Sequence, residues 1–192
     1  MIMKNNTEDK KFLVNYFNKM RGGKQCPQRA PLHEIFWSMV GSFLGILSIY
    51  LIGHLQGLQL EENLFLVGSF GASAVLLYAI PASPFAQPRN LILGHTISAV
   101  AGVSCAILLK DYIALAAAAA VSISIMLMHL SRSLHPPGGA TALIAVIGGN
   151  NIHELGYTYV ATPIGIGAIL LLLIALVINN ISPHRRYPQY WY

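Results

Sequence analysis

The chain has 192 residues, of which 55% are hydrophobic and 10% charged, and its net charge is +5. Soluble domains carry about 25% charged residues, so this composition excludes a soluble globule, and the sparse, segregated charge gives no nucleic-acid surface. Seven of the twelve Lys and Arg lie before Pro31, and no charge follows Glu34 until Glu61.

The elements follow in chain order. In the first thirty residues, Phe12, Leu13, Tyr16, Phe17 and Met20 recur at helical spacing among Lys10, Lys11, Lys19 and Arg21. That pattern predicts a short basic amphipathic helix on an anionic leaflet, capped by Thr7 and ended by Gly22-Gly23. A disordered basic tail fits the same charges. No apolar run or cleavage site marks this stretch as a signal peptide. Residues 1–31 are thus a cytoplasmic tail, 32–182 a membrane domain, and 183–192 ("SPHRRYPQYWY" from Ser182) an aromatic and basic interfacial anchor.

Six apolar segments follow the tail: 35–55, 64–80, 91–109, 112–130, 136–149 and 157–181. A helix needs about 20 residues to cross. The second is near the lower limit. The fifth, 14 residues long, would cover about 21 Å as helix against a hydrocarbon core of about 30 Å. It either crosses with the help of non-helical backbone or re-enters. Charge placement favours six crossings. With both termini cytoplasmic, eleven Lys and Arg lie inside and only Lys110 outside. A re-entrant fifth segment reduces the split to nine and three. The expected architecture is therefore all-α and polytopic, in the cell inner (plasma) membrane. Cys26 and Cys105 make no metal or redox pattern and are expected as free thiols.

Two of these segments share a pattern. Segment two contains "GASAVLL" (71–77) and segment five "GATALIA" (139–145), 68 residues apart. Two halves of three spans each are inverted relative to one another, because three is odd. Short or Gly/Pro-interrupted segments at matching places in two halves point to a transporter binding site. Ordinary small-residue helix packing gives the same letters. Segment five opens with "LHPPGG" (134–139). The residue before each proline is pushed towards extended backbone, and Pro137 suits a first helical turn. Gly138 and Gly139 leave the backbone bare. The product is a half-helix starting inside the membrane, tolerated only where buried in protein or lining a cavity. Its N–H groups, with the Thr141 hydroxyl, suit an anion. Gly71 and Ser73 supply the counterpart from segment two.

Single residues add to this site. Arg89 and Arg132 flank the two special segments on the inner side. Arg binds planar oxyanions in a fork, although simple topology also accounts for both. His135 abuts the half-helix, as anion donor, proton carrier or brace of the Pro-Pro turn. His95 lies four residues inside segment three and must find a partner there. His54, His129 and His153 sit near span ends, where interfacial solvation accounts for them. Gln87 and Asn90 are read as braces of the Pro88 turn, and Asn179 and Asn180 as caps or helix bridges.

At these residues the sequence resembles the HPP family of integral membrane proteins. "SLHPPGGATAL" (133–143) is similar to the family's hallmark, and "SPFAQPRNLILGH" (83–95) to its second shared motif. "GSFGASAVLLY" (68–78), Asn179-Asn180 and "RRYP" (185–188) also fit, over roughly residues 32–188. The resemblance implies a small multi-span protein, and a transporter. Some relatives are associated with nitrite transport, and the family is often described with four spans rather than six.

The function expected is transport of a small inorganic anion, nitrite first, with nitrate and formate as alternatives. No acidic residue lies within a span, where a cation site or carboxylate relay would need one. The rivals are a membrane-embedded enzyme and a scaffold subunit. An enzyme needs paired carboxylates or clustered ligands, and the seven His are scattered. No cofactor or metal is implied. The partners are the anion and membrane lipid, and a homo-oligomer is open.

Overall fold

A computed structural model describes residues 6–21, 25–55, 57 and 68–192, without the side chains of residues 6–10 and 13. Thr7, Gly22-Gly23, Glu61, Glu62 and the start of the second apolar segment therefore lie outside the described side chains or residues. The chain divides into two units, Met1–Ala30 and Pro31–Tyr192. The first holds helix α1 (Asn6–Met20). Phe12, Tyr16, Phe17 and Met20 are exposed on it among the described residues.

The second unit is all helix among the described residues. Its helices are α2 (Leu32–Leu55), α3 (Gly68–Ala79), α4 (Pro88–Leu108), α5 (Ile113–Leu130), α6 (Pro137–Ile147), α7 (Asn150–Leu155) and α8 (Val160–Ile181). Four of them, α2, α4, α5 and α8, are long and apolar enough to cross a membrane, while α3 and α6 are shorter apolar helices. Segment five is indeed a short helix, and segment two is described only from Gly68 onward.

Local chemistry sets the boundaries. Ser83 accepts from the Phe85 N–H and starts a single turn, Pro84–Ala86. Pro88 then opens α4, where its missing N–H costs nothing. The C-terminus of α5 closes in a Schellman arrangement: Ser133 N–H donates to Met128 O at 2.9 Å and Arg132 N–H to His129 O at 3.1 Å. This places Arg132 at φ 53°, the left-handed position usually given to glycine. The last turn of α3 widens to π register over Val75–Ala79, and α8 begins with a break at Thr162 before Pro163.

Small residues let these helices approach. A Cβ on Gly94 of α4 would run into His135 Cβ, and one on Gly102 would lie 2.6 Å from Ala142 O. One on Gly138 of α6 would lie 2.5 Å from Ser98 Oγ. These contacts run in the same order along both chains, so α6 lies parallel to α4. On the other flank, Gly41 and Gly45 of α2 leave room for the Tyr78 ring, and Gly167 of α8 for Phe70. Phe70, Leu77 and Tyr78 of α3 are wholly buried there.

One end of the bundle is tied by the C-terminal residues. Arg185, its side chain 2% exposed, donates through Nε to Glu34 Oε2 at 2.8 Å. Its terminal nitrogens donate to Tyr78 O, Asn179 Oδ1, Glu34 O and Ser38 Oγ. All five guanidinium N–H groups are thus used. Asn179 bridges to Leu77 O at 3.0 Å, so the open carbonyls of the π turn are taken up by α8 and the tail. Beyond it, Tyr187 OH donates to Ala86 O at 2.7 Å and Gln189 N–H to Gln87 Oε1 at 2.8 Å. Gln87 in turn donates to Pro81 O and Ser83 O. Residues 185–189 therefore form a strap over the loop before α4. Tyr190, Trp191 and Tyr192 beyond it are exposed.

Candidate functional site

The core of this unit contains a line of polar side chains drawn from α3, α4 and the Pro-Pro turn before α6. Ser69, Ser73, His95, His135 and Thr141 are each 0% exposed. Thr141 Oγ1 lies 2.6 Å from Ser69 Oγ and 2.7 Å from His95 Nδ1. His95 Nε2 lies 2.8 Å from Ser73 Oγ, which lies 2.9 Å from His135 Nε2. His135 Nδ1 ends the line on Phe85 O at 2.8 Å. The imidazole centroids are 4.9 Å apart, and Phe70 tilts against His95 at 4.8 Å.

The sequence dictates this meeting. Ser69 and Ser73 are four apart on α3, so both point the same way. Pro136 and Pro137 start α6 with His135 just outside the first turn, and Thr141 falls one turn further on. Ser69 meets Thr141 while Ser73 meets His135, so α3 and this stretch pass antiparallel. The two Gly-Ala-hydroxyl-Ala patterns do meet, with the His95 ring between Ser73 and Thr141.

The half-helix end differs from expectation. Gly138 N–H donates to His135 O at 2.8 Å and Gly139 N–H to Pro136 O at 3.1 Å. These donors turn back on the chain instead of lining a cavity. The close approach is at Gly138; a Cβ at Gly139 would meet only Val121, at 3.8 Å, and one at Gly71 nothing within 4 Å. So Ser73, His95, His135, Thr141 and Gly138 share one site, whereas Gly139 and Gly71 stand beside it.

Arg89 and Arg132 take different places. Arg89 donates from one terminal nitrogen to Ser131 O at 2.9 Å. Its Nε is buried and has no hydrogen-bond partner among the described residues. Next to it, Asn90 Nδ2 donates to Leu134 O at 2.8 Å, holding the α5–α6 turn. Arg132 is exposed and serves the α5 terminus. A cavity of about 650 Å³ opens at the tail end between Glu34, Pro81, Ser83, Arg185, Arg186 and Gln189. At the opposite end a smaller one, about 240 Å³, lies between Leu109, Lys110, Ile113, Val146 and His153.

Sequence reasoning missed Ser69, the Phe85 carbonyl and the Arg185–Glu34 tie. Ser69 had one signal: it lies one helical turn before Ser73. Arg185 had none, because a buried Arg and a topology Arg look alike in one sequence.

An all-helical bundle with short apolar helices meeting over a buried polar line defines a multi-pass membrane protein. Its transmembrane region, residues 27–188, matches the family model for the HPP transmembrane region. The chain belongs to the HPP family, as its motifs indicated. It is 44% identical to each of two transmembrane proteins of Dictyostelium discoideum, over 95% of its own length. It spans 59% of one of these relatives and 65% of the other. No solved structure matches the chain.

Proposed function

We propose that this protein carries a small inorganic anion across a membrane, with nitrite the first substrate to test. The observation that carries the reading is the buried line of two imidazoles and three hydroxyls. Ionisable side chains at membrane depth are costly and mark solute or proton paths. Packing alone gives no reason to place them where two short helices cross. What favours an anion is the sign of the polar groups. No carboxylate joins the line, and Arg89 Nε, four residues after Phe85, is buried and without a hydrogen-bond partner among the described residues. Such a donor suits a planar oxyanion.

The orientation belongs to the same proposal. Glu34, the 81–90 loop, the Ser131–Ser133 turn and the tail are all tied at one end of the bundle. They carry Arg89, Arg132, Arg185 and Arg186, so this end is cytoplasmic under the positive-inside rule. Segment five then crosses, because α6 runs beside α4 from His135 and Gly94 towards Lys110 at the other end. Phe43, Leu47, Ile123, Met126, Leu173 and Val177, exposed on α2, α5 and α8, face lipid or a second copy. Transport is preferred to catalysis on the strength of the buried imidazole and hydroxyl line at membrane depth.

The test is uptake by proteoliposomes of the full chain, with nitrite, nitrate and formate above protein-free vesicles. Uptake is expected, with Arg89→Ala slowing it at unchanged amounts of folded protein. No uptake of any anion by the wild type overturns the reading.

A further inference from the structure

The hydrogen bonds of the buried line have only one consistent direction when both histidines are neutral. The Phe85 carbonyl can only accept, so His135 carries its proton on Nδ1. Its Nε2 must then accept from Ser73. Ser73, with a single proton, must accept from His95 Nε2–H. His95 Nδ1 is left to accept from Thr141, and Thr141 to accept from Ser69. The two histidines therefore hold opposite tautomers. Every donor in the line is occupied, and none is spare for an anion.

We propose that this line is a proton wire, and that the anion is carried together with a proton. A proton delivered to Ser69 Oγ passes the Ser69 proton to Thr141 and the Thr141 proton to His95 Nδ1. The His95 Nε2 proton passes to Ser73, and the Ser73 proton to His135 Nε2. One proton has entered and each O–H or N–H bond broken is replaced by one formed. His135 is now an imidazolium, donating to Phe85 O and to Ser73. Every bond between them has reversed, and Ser69 holds a free O–H. A single proton thus creates both a positive charge and a spare donor, which is what an anion requires. Without it the site is closed. This rests on the transport reading and adds its coupling ion. In the proposed orientation the wire runs from the outer half of α3 to the cytoplasmic loop at Phe85.

The titratable groups that meet the line are few. His95 comes from α4 and His135 from the α5–α6 turn. Tyr159, just before α8, donates its hydroxyl to Thr141 O at 3.1 Å. Arg89 lies six residues before His95 on α4, and α3 brings only serines.

Two measurements on the full chain decide the matter. First, ¹⁵N NMR of histidine-labelled protein at alkaline pH, with His95→Gln and His135→Gln for assignment, should show an Nε2–H tautomer for His95 and an Nδ1–H tautomer for His135. Equal tautomers overturn the wire. Second, nitrite and nitrate uptake should be followed with an internal pH dye. Nitrate is included because its conjugate acid is too strong to leak through lipid as a neutral molecule. Uptake should acidify the lumen, and a gradient of about one pH unit should drive about tenfold accumulation beyond the ungraded case. Ser73→Ala should lose that dependence and Ser73→Thr should restore it, both at matched size-exclusion profiles. Anion uptake without co-moving protons, or a gradient dependence retained in Ser73→Ala, overturns the coupling and leaves anion transport standing. No uptake of any anion by the wild type removes the transport reading and the coupling with it.

Discussion

Arg132 occupies the position after α5 that helices most often give to glycine. A non-glycine residue in the left-handed region costs about 1 kcal/mol or more. Arg132→Gly removes the charge and the strain together. Its melting temperature should rise, and its uptake should stay near wild type, since the side chain is exposed and away from the buried line. A large loss of uptake in this variant would restore Arg132 to the site. Arg185 is the opposite case, a buried charge with every donor engaged. Lysine offers three donors in place of a planar five. Arg185→Lys should therefore lower thermal stability almost as far as Arg185→Ala, by about 3 kcal/mol for a broken buried pair. Detergent-solubilised melting curves check it, and a fully stable Arg185→Lys would show that charge alone suffices there. Burial, and after it the neighbouring Tyr78, hold the Tyr187 phenol above its ordinary range. It remains a donor to Ala86 at any ordinary pH.

At the scale of elements, the crossing of α4 and α6 depends on small residues meeting face to face. Gly138→Ala would drive a methyl group to 2.5 Å from Ser98 Oγ and 2.9 Å from Gly94 O. Overpacking of this kind costs about 1–3 kcal/mol. Gly139→Ala makes only an ordinary contact with Val121, at 3.8 Å, and should be neutral or slightly stabilising. Melting curves of the pair give the order, and equal tolerance would mean that the α4–α6 contact is looser than it is drawn. Sequence reasoning read Gly138 and Gly139 alike, as bare backbone. It found the right turn, because prolines and glycines announce a broken backbone. It did not separate the two glycines, because which one faces a neighbour depends on the rotation of α6 about its own axis. The same limit applies elsewhere. Segment length showed that α6 is short, and the repeated Gly-Ala-hydroxyl-Ala pattern marked two stretches that meet in the core. That Ser73 joins His95 to His135 needed the antiparallel overlap of two distant segments, and apolar periodicity says nothing of that. The expected bare N–H groups failed for a local reason: a tight turn at Pro136 brings the His135 and Pro136 carbonyls within reach of Gly138 and Gly139.

Across the whole molecule, the ties at one end bear on topology. The start of α2, the loop before α4, the turn before α6 and the tail meet there, and each carries positive charge or its partner. A reporter fused after Tyr192 should read as cytoplasmic, as should a tag in the 81–90 loop. A tail on the far side would break the Arg185–Glu34 tie and the Tyr187–Ala86 bond together, so an outside signal from either tag sinks the six-crossing arrangement.

The strap also fixes an order of assembly. The Ala86 carbonyl and the Gln87 side chain receive their partners from Tyr187 and Gln189, about a hundred positions later in the chain. During synthesis, α4, α5 and α6 enter the bilayer before residues 185–189 exist. The loop that holds the His135 proton thus waits for the strap. A nascent chain arrested before Arg185 exposes unfilled backbone carbonyls at that end, a mark by which quality-control proteases can tell it from a finished molecule.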